Sequence, residues 1–424
     1  ATGLEVKTLA QARSHMIAAA NPYAVEAGLA ILRAGGSAVD AAIAAQMVLG
    51  LVEPQSSGLG GGGFLLHWDQ RGRRLHSYDG RETAPAAIAP DVFIGPDGKP
   101  RGFWDAVHSG ESVGAPGLLR MLALAHASHG KLPWPVLLES AIRLADQGFS
   151  VSRRLNRLLA ERGADRFDAA ARAYFFEANG EPRAVGTKLA NPAYADVLRQ
   201  VAEKGPDAFH AGPIADAIVK AVTAAPVRSG GLSAQDVAGY AARERPPVCA
   251  TYRGYRVCGM GPPSSGGIAT AMTMRLLEGF TLGRVPMNGP ALHLIAESQK
   301  LAYADRDRWL ADPDHVKIPA GMLDAFYLAT RRRLIETDRA GARASPGQPP
   351  GAPLRRTGVD ATVEVAGTTH VSVVDARGNA VALTSSIEAG FGAGLMASGF
   401  LLNNQLTDFS FRAHDAQGLP IANA

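Results

Sequence analysis

The sequence has few aromatics, only two cysteines and almost no runs of like charge, and each shortage narrows the function. Aromatic residues make up 6% of 424, the formal charge is only +4, and no block of one sign stands out beyond Arg331-Arg332-Arg333. Nucleic-acid binders concentrate cations on one face and interleave aromatic rings, so that class is disfavoured. No apolar run is long enough to span a bilayer, since the richest stretch, Ala38 to Val52, is interrupted by Asp40 and Gln46. The opening Ala-Thr-Gly-Leu-Glu-Val-Lys lacks the apolar core of a secretory signal, so either none was made or the sequence starts after its removal. Metal-ligand spacings such as H-x-x-x-H and C-x-x-C are missing, as is a Walker A sequence, so neither metal nor cofactor is expected. What remains, at 46% hydrophobic and 19% charged, is the composition of a soluble globular protein.

The two cysteines stand in Pro247-Val-Cys249-Ala-Thr-Tyr-Arg-Gly-Tyr-Arg-Val-Cys258, which reads as two short strands around Arg253-Gly254. A two-residue loop there pairs Tyr252 with Tyr255 and, stepping outward, brings Cys249 opposite Cys258 on a non-hydrogen-bonded pair, where side chains lie close. The sequence leaves two readings open, a disulfide or two thiols packed as small apolar residues. A disulfide favours an oxidising compartment, periplasmic or secreted, with the cytoplasm as the alternative.

Helices dominate the first three quarters. Asn21-Pro22 starts one and Gly35-Gly36 stops it; Ser37 caps the next, apolar nearly all round and so expected inside a core. Phe64–Trp68 and Arg74–Tyr78 read as a β-hairpin. Helices are expected over Pro116–Ser128, Pro135–Gln147, Asn191–Glu203, Pro213–Ala224 and Ala234–Ala242. A long one spans about Pro290 to Leu310, with Glu297, Lys300, Asp305 and Arg308 on one charged face. Residues 340–366, rich in Pro, Gly, Ala and Arg, read as a mobile linker. Strands follow at Thr369–Asp375, Ala380–Ser386 and Gly399–Leu402. Helices early and strands late suggest antiparallel sheets covered by helices, an α+β protein.

Gly58-Leu-Gly60-Gly-Gly-Gly63 satisfies G-x-G-x-x-G, but a helix precedes it and a strand follows, the reverse of a dinucleotide site; a tight glycine loop near a reacting group fits better. Gly110-Glu-Ser112-Val-Gly114 matches G-x-S-x-G without the apolar strand that a nucleophile elbow needs, and His370 and Asp375 follow it in the wrong order. A serine capping a turn is the plainer reading. Gly367-Thr368-Thr369-His370 is more informative, because it lies directly after the linker and directly before an apolar strand. Cleavage before Thr368 would leave an N-terminal threonine on a sheet, with a hydroxyl nucleophile and an α-amine of unperturbed pKa near 8 as its base.

Val52-Glu-Pro-Gln-Ser-Ser-Gly-Leu-Gly-Gly-Gly-Gly-Phe64, Gly80-Arg-Glu-Thr-Ala-Pro85, Gly261-Pro-Pro-Ser-Ser-Gly-Gly267, Ala302-Tyr-Ala-Asp-Arg306, Thr368-Thr-His370 and Leu401-Leu-Asn-Asn-Gln405 together resemble the γ-glutamyltransferase (γ-glutamyltranspeptidase) family. The resemblance implies an N-terminal-nucleophile hydrolase, a four-layer αββα sandwich made as a precursor that cuts itself between Gly367 and Thr368. Residues 1–367 would form the large-subunit part and 368–424 the start of the small subunit, its partner in the active enzyme. Thr368 matches the nucleophile, Ser386 a supporting hydroxyl, Arg81 the arginine for the substrate α-carboxylate, and Gln405 and Asp408 groups for the α-ammonium. Glu388 replaces an asparagine of well-studied members, and with only a short connection after Asp408 the lid loop of some members is expected to be absent. The family's Ser-Ser and Gly-Gly pairs, the latter its oxyanion hole, are expected downstream of Ala424, so the small-subunit part 368–424 is expected to be truncated. The implied activity is cleavage of γ-glutamyl amides such as glutathione through an ester on Thr368, passed to water or an amine. The alternatives are an acylase for glutaryl or cephalosporin side chains, or an inactive truncated homologue.

Overall fold

The structure, a computed structural model, describes residues 9–285, 288–353, 357–363, 365 and 367–423. Five positions of the expected linker, 354–356, 364 and 366, lie outside the described residues, as do 1–8 and 424 of the two expected subunits. The chain begins with a short strand, β1 (Met16–Ala18), and two helices, α1 (Pro22–Arg33) and α2 (Ala38–Val52). Asn21 caps α1 through its side chain, and Ser37 with Asp40 forms a reciprocal capping box on α2. Every residue of α2 is buried. Its two polar interruptions both have partners: Asp40 also accepts from Lys131 N and Leu132 N, and Gln46 bonds Ser57 and Ser385.

The hairpin β2 (Gly62–Asp69) and β3 (Arg74–Gly80) follows, then α3 (Leu118–His129), α4 (Trp134–Gln147) and α5 (Arg153–Arg162). Further helices between residues 169 and 238 lead to β4 (Arg243–Glu244) and the ribbon β5 (Val248–Tyr252) and β6 (Tyr255–Gly259). The expected Ala234–Ala242 helix stops at Ala238, before Gly239. After the ribbon come α6 (Gly266–Leu277), α7 (Gly289–Trp309) and α8 (Ala325–Arg332), and then β7 (Thr368–Val374) and β8 (Ala380–Ser386).

Six strands form one antiparallel sheet in the order β1-β7-β8-β2-β3-β4. Strand alternation divides its residues: Val371, Val373, Val381, Leu383 and Leu65 are buried on one face, where α2 and α3 pack. On the other face Phe64, Leu66, Ala382 and Thr384 share a cavity with residues of β6 and the start of α6. The second sheet layer expected of an αββα sandwich is not formed by the described residues. After Ser386 they contain only two-residue strands, including Phe400–Leu401 in place of the expected Gly399–Leu402 strand.

The charged face of α7 is not solvated throughout. Asp305 is fully buried, bonding Tyr327 OH (2.6 Å), Arg331 Nη2 (3.0 Å) and Gly347 N (2.6 Å). These bonds, with Trp309 Nε1 donating to Gly347 O and Arg331 Nη2 to Ser345 O, attach the described start of the 340–366 segment to the α7–α8 unit.

In the β5–β6 ribbon, Arg253 (φ 49°) and Gly254 (φ 86°) both take the left-handed conformation of a two-residue hairpin loop. The register pairs Cys249 with Cys258, and the two sulfurs are joined as a disulfide. Non-reducing peptide mapping of protein purified without reductant should recover the two cysteine peptides linked; free thiols would refute that state in the purified protein.

Between β2, β3 and α3 three imidazoles cluster, His129 lying 4.1 Å from a tilted His67 and 4.7 Å from an edge-on His76 between ring centroids. Burial, with His129 and His76 adding like charge, pushes the pKa of His67 down to about 4, against the nearby Asp69 and Asp375. A depressed histidine contributes stability that is complete above its unfolded value of 6.5 and is lost as pH falls toward 4. His67 alone would account for up to about 3 kcal/mol of that loss. Denaturant melts between pH 7 and 4 should show it, and His67→Phe should flatten the slope; an unchanged slope would remove His67 as its source.

Candidate active site

Thr368 is the first residue of β7, and register sets it opposite Ser386, the last residue of β8. Both side chains fall on the face turned away from α2. Thr368 Oγ1 donates to Ser386 Oγ (3.4 Å), Ser386 Oγ donates to Gly367 O (2.9 Å), and Glu388 N donates to Ser386 Oγ (2.8 Å). One hydroxyl thus bridges Thr368 and the carbonyl of the peptide bond preceding it. The next residue back along β8, Ser385, points into the core and donates to Gln46 Oε1 (2.6 Å), which fixes the strand end against α2.

Close backbone approach explains the glycines here. A Cβ on Gly367 would collide with Glu388 O, one on Gly61 with Ser386 O, and one on Gly62 with Glu82 Oε2. The Gly60–Gly63 run therefore lets the start of β2 pair closely beside Ser386, with Gly62 opposite it, and it is followed by a strand, which excludes the dinucleotide reading. Ser112 lies in a buried 3₁₀ turn, donating to Val107 O and Ser109 O. His370 instead bonds Thr384 Oγ1, and Asp375 accepts from Arg377 N and Asn379 N in the β7–β8 turn, so the structure brings no triad to Ser112.

Arg81, Glu388, Gln405 and Asp408, distant in sequence, converge on one cavity of about 300 Å³. Arg81 follows β3, with its N–H on Asp79 Oδ1 (2.8 Å) and its carbonyl on Tyr240 OH (2.7 Å). Its guanidinium lies 4.9 Å from the centroid of the Phe64 ring, and Nη1 is 3.4 Å from Asp408 Oδ2. Gln405 Nε2 donates to Asp408 and, at 3.4 Å, to Glu388 Oε2. Asn403 supports the group from below, bonding Gly60 O, Gly114 N, Gly114 O and Gln405 N. Asp360, Thr362 and Val365, from the segment leading to Gly367, form part of the same wall.

Glu82 also lines this cavity and was not singled out from the sequence, although it adjoins Arg81 in the Gly80-Arg-Glu block. Its Oε1 is buried without a hydrogen-bond partner among the described residues. Burial raises its pKa to about 7, against the pull of Arg81, and burial with the Asp408 charge raises Glu388 to about 8. Two arginines, Arg81 and Arg306, among six acids, Glu82, Asp307, Asp312, Asp360, Glu388 and Asp408, suit a ligand carrying both an anionic and a cationic end.

A sequence model described as Gamma-glutamyltranspeptidase matches residues 24–424. The chain belongs to the gamma-glutamyltranspeptidase family. It is 37% identical over 407 residues to the Glutathione hydrolase proenzyme of Escherichia coli K12, a match covering 94% of this chain and 67% of that protein. Its structure is similar to that of a cephalosporin acylase from Bacillus halodurans, with a TM-score of 0.82 at 27% identity, over 99% of this chain and 75% of the other. Similarity to Helicobacter pylori gamma-Glutamyltranspeptidase gives a TM-score of 0.76, also at 27% identity, over 80% of this chain and 97% of that one. This family member therefore has a mixed α+β fold of the N-terminal-nucleophile hydrolase kind. None of its described helices is long and apolar enough to cross a membrane.

Proposed function

We propose that this gamma-glutamyltranspeptidase is a self-processing enzyme, with Thr368 as nucleophile in both the maturation cut and turnover, acting on γ-glutamyl amides such as glutathione. The observation that supports it most is the bridge at Ser386, whose hydroxyl holds both the Thr368 hydroxyl and the Gly367 carbonyl. In maturation Thr368 Oγ1 adds to the Gly367 carbonyl carbon, the Gly367–Thr368 C–N bond breaks, and the acyl group passes to oxygen. Water then cleaves that ester, leaving a Gly367 carboxylate and a free Thr368 α-amine. In turnover the α-amine takes the hydroxyl proton, Oγ1 attacks the substrate carbonyl, and the leaving amine departs with a proton. Water or a second amine attacks the resulting ester and returns the threonine.

Donor recognition follows from the 300 Å³ cavity. Arg81 offers a planar fork for the α-carboxylate, and Asp408, Gln405 and Glu388 surround the α-ammonium, with Glu82 adding charge. On this reading 1–367 and 368–424 belong to two subunits of one precursor, a second sheet completes the αββα sandwich over the Thr368 face, and the site of action is periplasmic or secreted, as the Cys249–Cys258 bond favours.

A second reading, an acylase for glutaryl-type side chains, is favoured by the similarity to the cephalosporin acylase structure and by Glu388, which burial keeps protonated at neutral pH. Both differ from an inert homologue. A denaturing gel should resolve two fragments whose smaller one begins at Thr368, and the purified protein should release glutamate from glutathione faster than it releases the glutaryl group from a matched amide. A single uncut band without either activity would defeat the enzymatic reading.

A further inference from the structure

Thr368 lines not the Arg81 cavity but a second one, of about 610 Å³, which shares no wall residue with the first. The loop after Ser386 separates them: Glu388 faces the first, Gly390 and Phe391 the second. The nucleophile thus has an acid-rich chamber on one side of this partition and a differently charged one on its own side.

One face of α5 makes the wall of that second chamber. Arg154, Leu158, Glu161 and Arg162 recur at helical spacing, with Leu155 and Leu159 buried behind them, and Arg166 follows in the next turn. Three arginines to one glutamate make a basic lining, but two of the arginines already have an acid beside them. Arg154 lies 3.7 Å from Glu53, Arg166 lies 3.6 Å from Asp165, and Glu161 lies 3.7 Å from Arg157. Arg162 is the exception, pairing with no carboxylate among the described residues. Its Nη2 donates to Gly392 O (3.1 Å), its guanidinium sits 4.9 Å from the Trp104 ring centroid, and its Nε is buried without a partner among the described residues. Burial and the like charge of Arg166 lower its pKa to about 10, which leaves it a cation at neutral pH. A half-buried guanidinium with only a carbonyl and a ring beside it is stabilised by an anion that enters the cavity.

We propose that this chamber receives the portion of the substrate beyond the scissile amide, and that Arg162, flanked by Arg154 and Arg166, binds a carboxylate there. The ligand class is an amine bearing a free carboxylate, an amino acid or short peptide, held first as leaving group and then as acceptor. A dipeptide reaches about 7 Å from its nitrogen toward its terminal carboxylate, a span a cavity of this volume accommodates. The inference rests on the Thr368 acyl-transfer reading and deepens it.

The test compares two donors, glutathione and glutathione with its glycine carboxylate converted to carboxamide, on self-processed protein. The wild type should cut the acid with at least about tenfold higher kcat/KM, the effect of one charge-assisted hydrogen bond. R162Q should reduce that ratio about tenfold, and R162K should keep most of it. Equal cleavage of acid and amide by the wild type overturns the proposal without any variant, as does an R162Q ratio that matches wild type. If the wild type cuts neither donor but cuts glutaryl-glycine, the γ-glutamyl reading falls alone, and glutaryl-glycine against glutaryl-glycinamide then decides for or against the Arg162 pocket by the same ratios.

Discussion

Thr368→Ala protein should remain a single uncut chain and show no amide cleavage above background. The substitution removes the only hydroxyl that reaches both Ser386 and, through it, the Gly367 carbonyl among the described residues, while alanine occupies an exposed strand-end position at little cost in packing. Loss of the nucleophile in enzymes of this chemistry removes nearly all of a rate enhancement of at least about 10⁶-fold. Intact mass and N-terminal sequencing give the readout. Complete cutting before residue 368 in the variant would mean that another protease performs the cut, and would end the autocatalytic reading.

Arg81→Gln should lower kcat/KM for a γ-glutamyl donor by about tenfold to a hundredfold, since a charge-assisted hydrogen bond contributes about 1.5–3 kcal/mol and about 1.36 kcal/mol is a factor of ten. Glu388 tests the other end of the donor. Its pKa is raised to about 8, chiefly by burial and Asp408, so it is largely neutral at pH 7 and gains its charge as pH rises through 8. Donor affinity through the α-ammonium should therefore increase over that range, and Glu388→Asn should remove the increase. The same substitution should favour a glutaryl donor, which lacks the ammonium, relative to the γ-glutamyl one. If neither variant changes the ratio of the two specificities, the amino-acid end is not read in this cavity and the transferase proposal fails. Steady-state kinetics with both donors from about pH 6.5 to 9 supplies all of these numbers.

Much of this was legible in the residues, for identifiable reasons. Asn21-Pro22 and Ser37 mark helix starts because their side chains satisfy amides that the first turn leaves open. The alternation in β7 and β8 places Thr368 and Ser386 on one face, and a loop of two residues fixes the cysteine register. What the sequence hides is long-range. Strand β1 has three residues, too few for a period, and exists because it pairs with β7 from more than 350 positions away. Helix α5, Arg-Arg-Leu-Asn-Arg-Leu-Leu-Ala-Glu-Arg, has a local amphipathic pattern in Leu155, Leu158 and Leu159, but nothing local says that its arginines reach the cavity of Thr368. Glu82 is an ordinary acid until folding buries it beside Arg81. The Arg81–Asp408 approach, across 327 positions, depends on backbones passing closely at glycines whose partners no local pattern names.

The order of strands in the main sheet has a further consequence. Strand β7 lies between β1 and β8, and β8 lies between β7 and β2, so residues on either side of the Gly367–Thr368 bond are laced together by two separate ladders. A chain severed at that bond stays one cooperative body under native conditions, because the hydrogen bonds that join its pieces are interior rows of the sheet. Its unfolding, however, becomes a dissociation. Two molecules must then find one another to refold, so the midpoint of melting acquires a dependence on concentration that the uncut chain lacks, and dilution favours irreversible loss. Such a cut would exchange a unimolecular folding problem for a bimolecular one, and the severed protein would be protected by slow opening rather than by an ability to return.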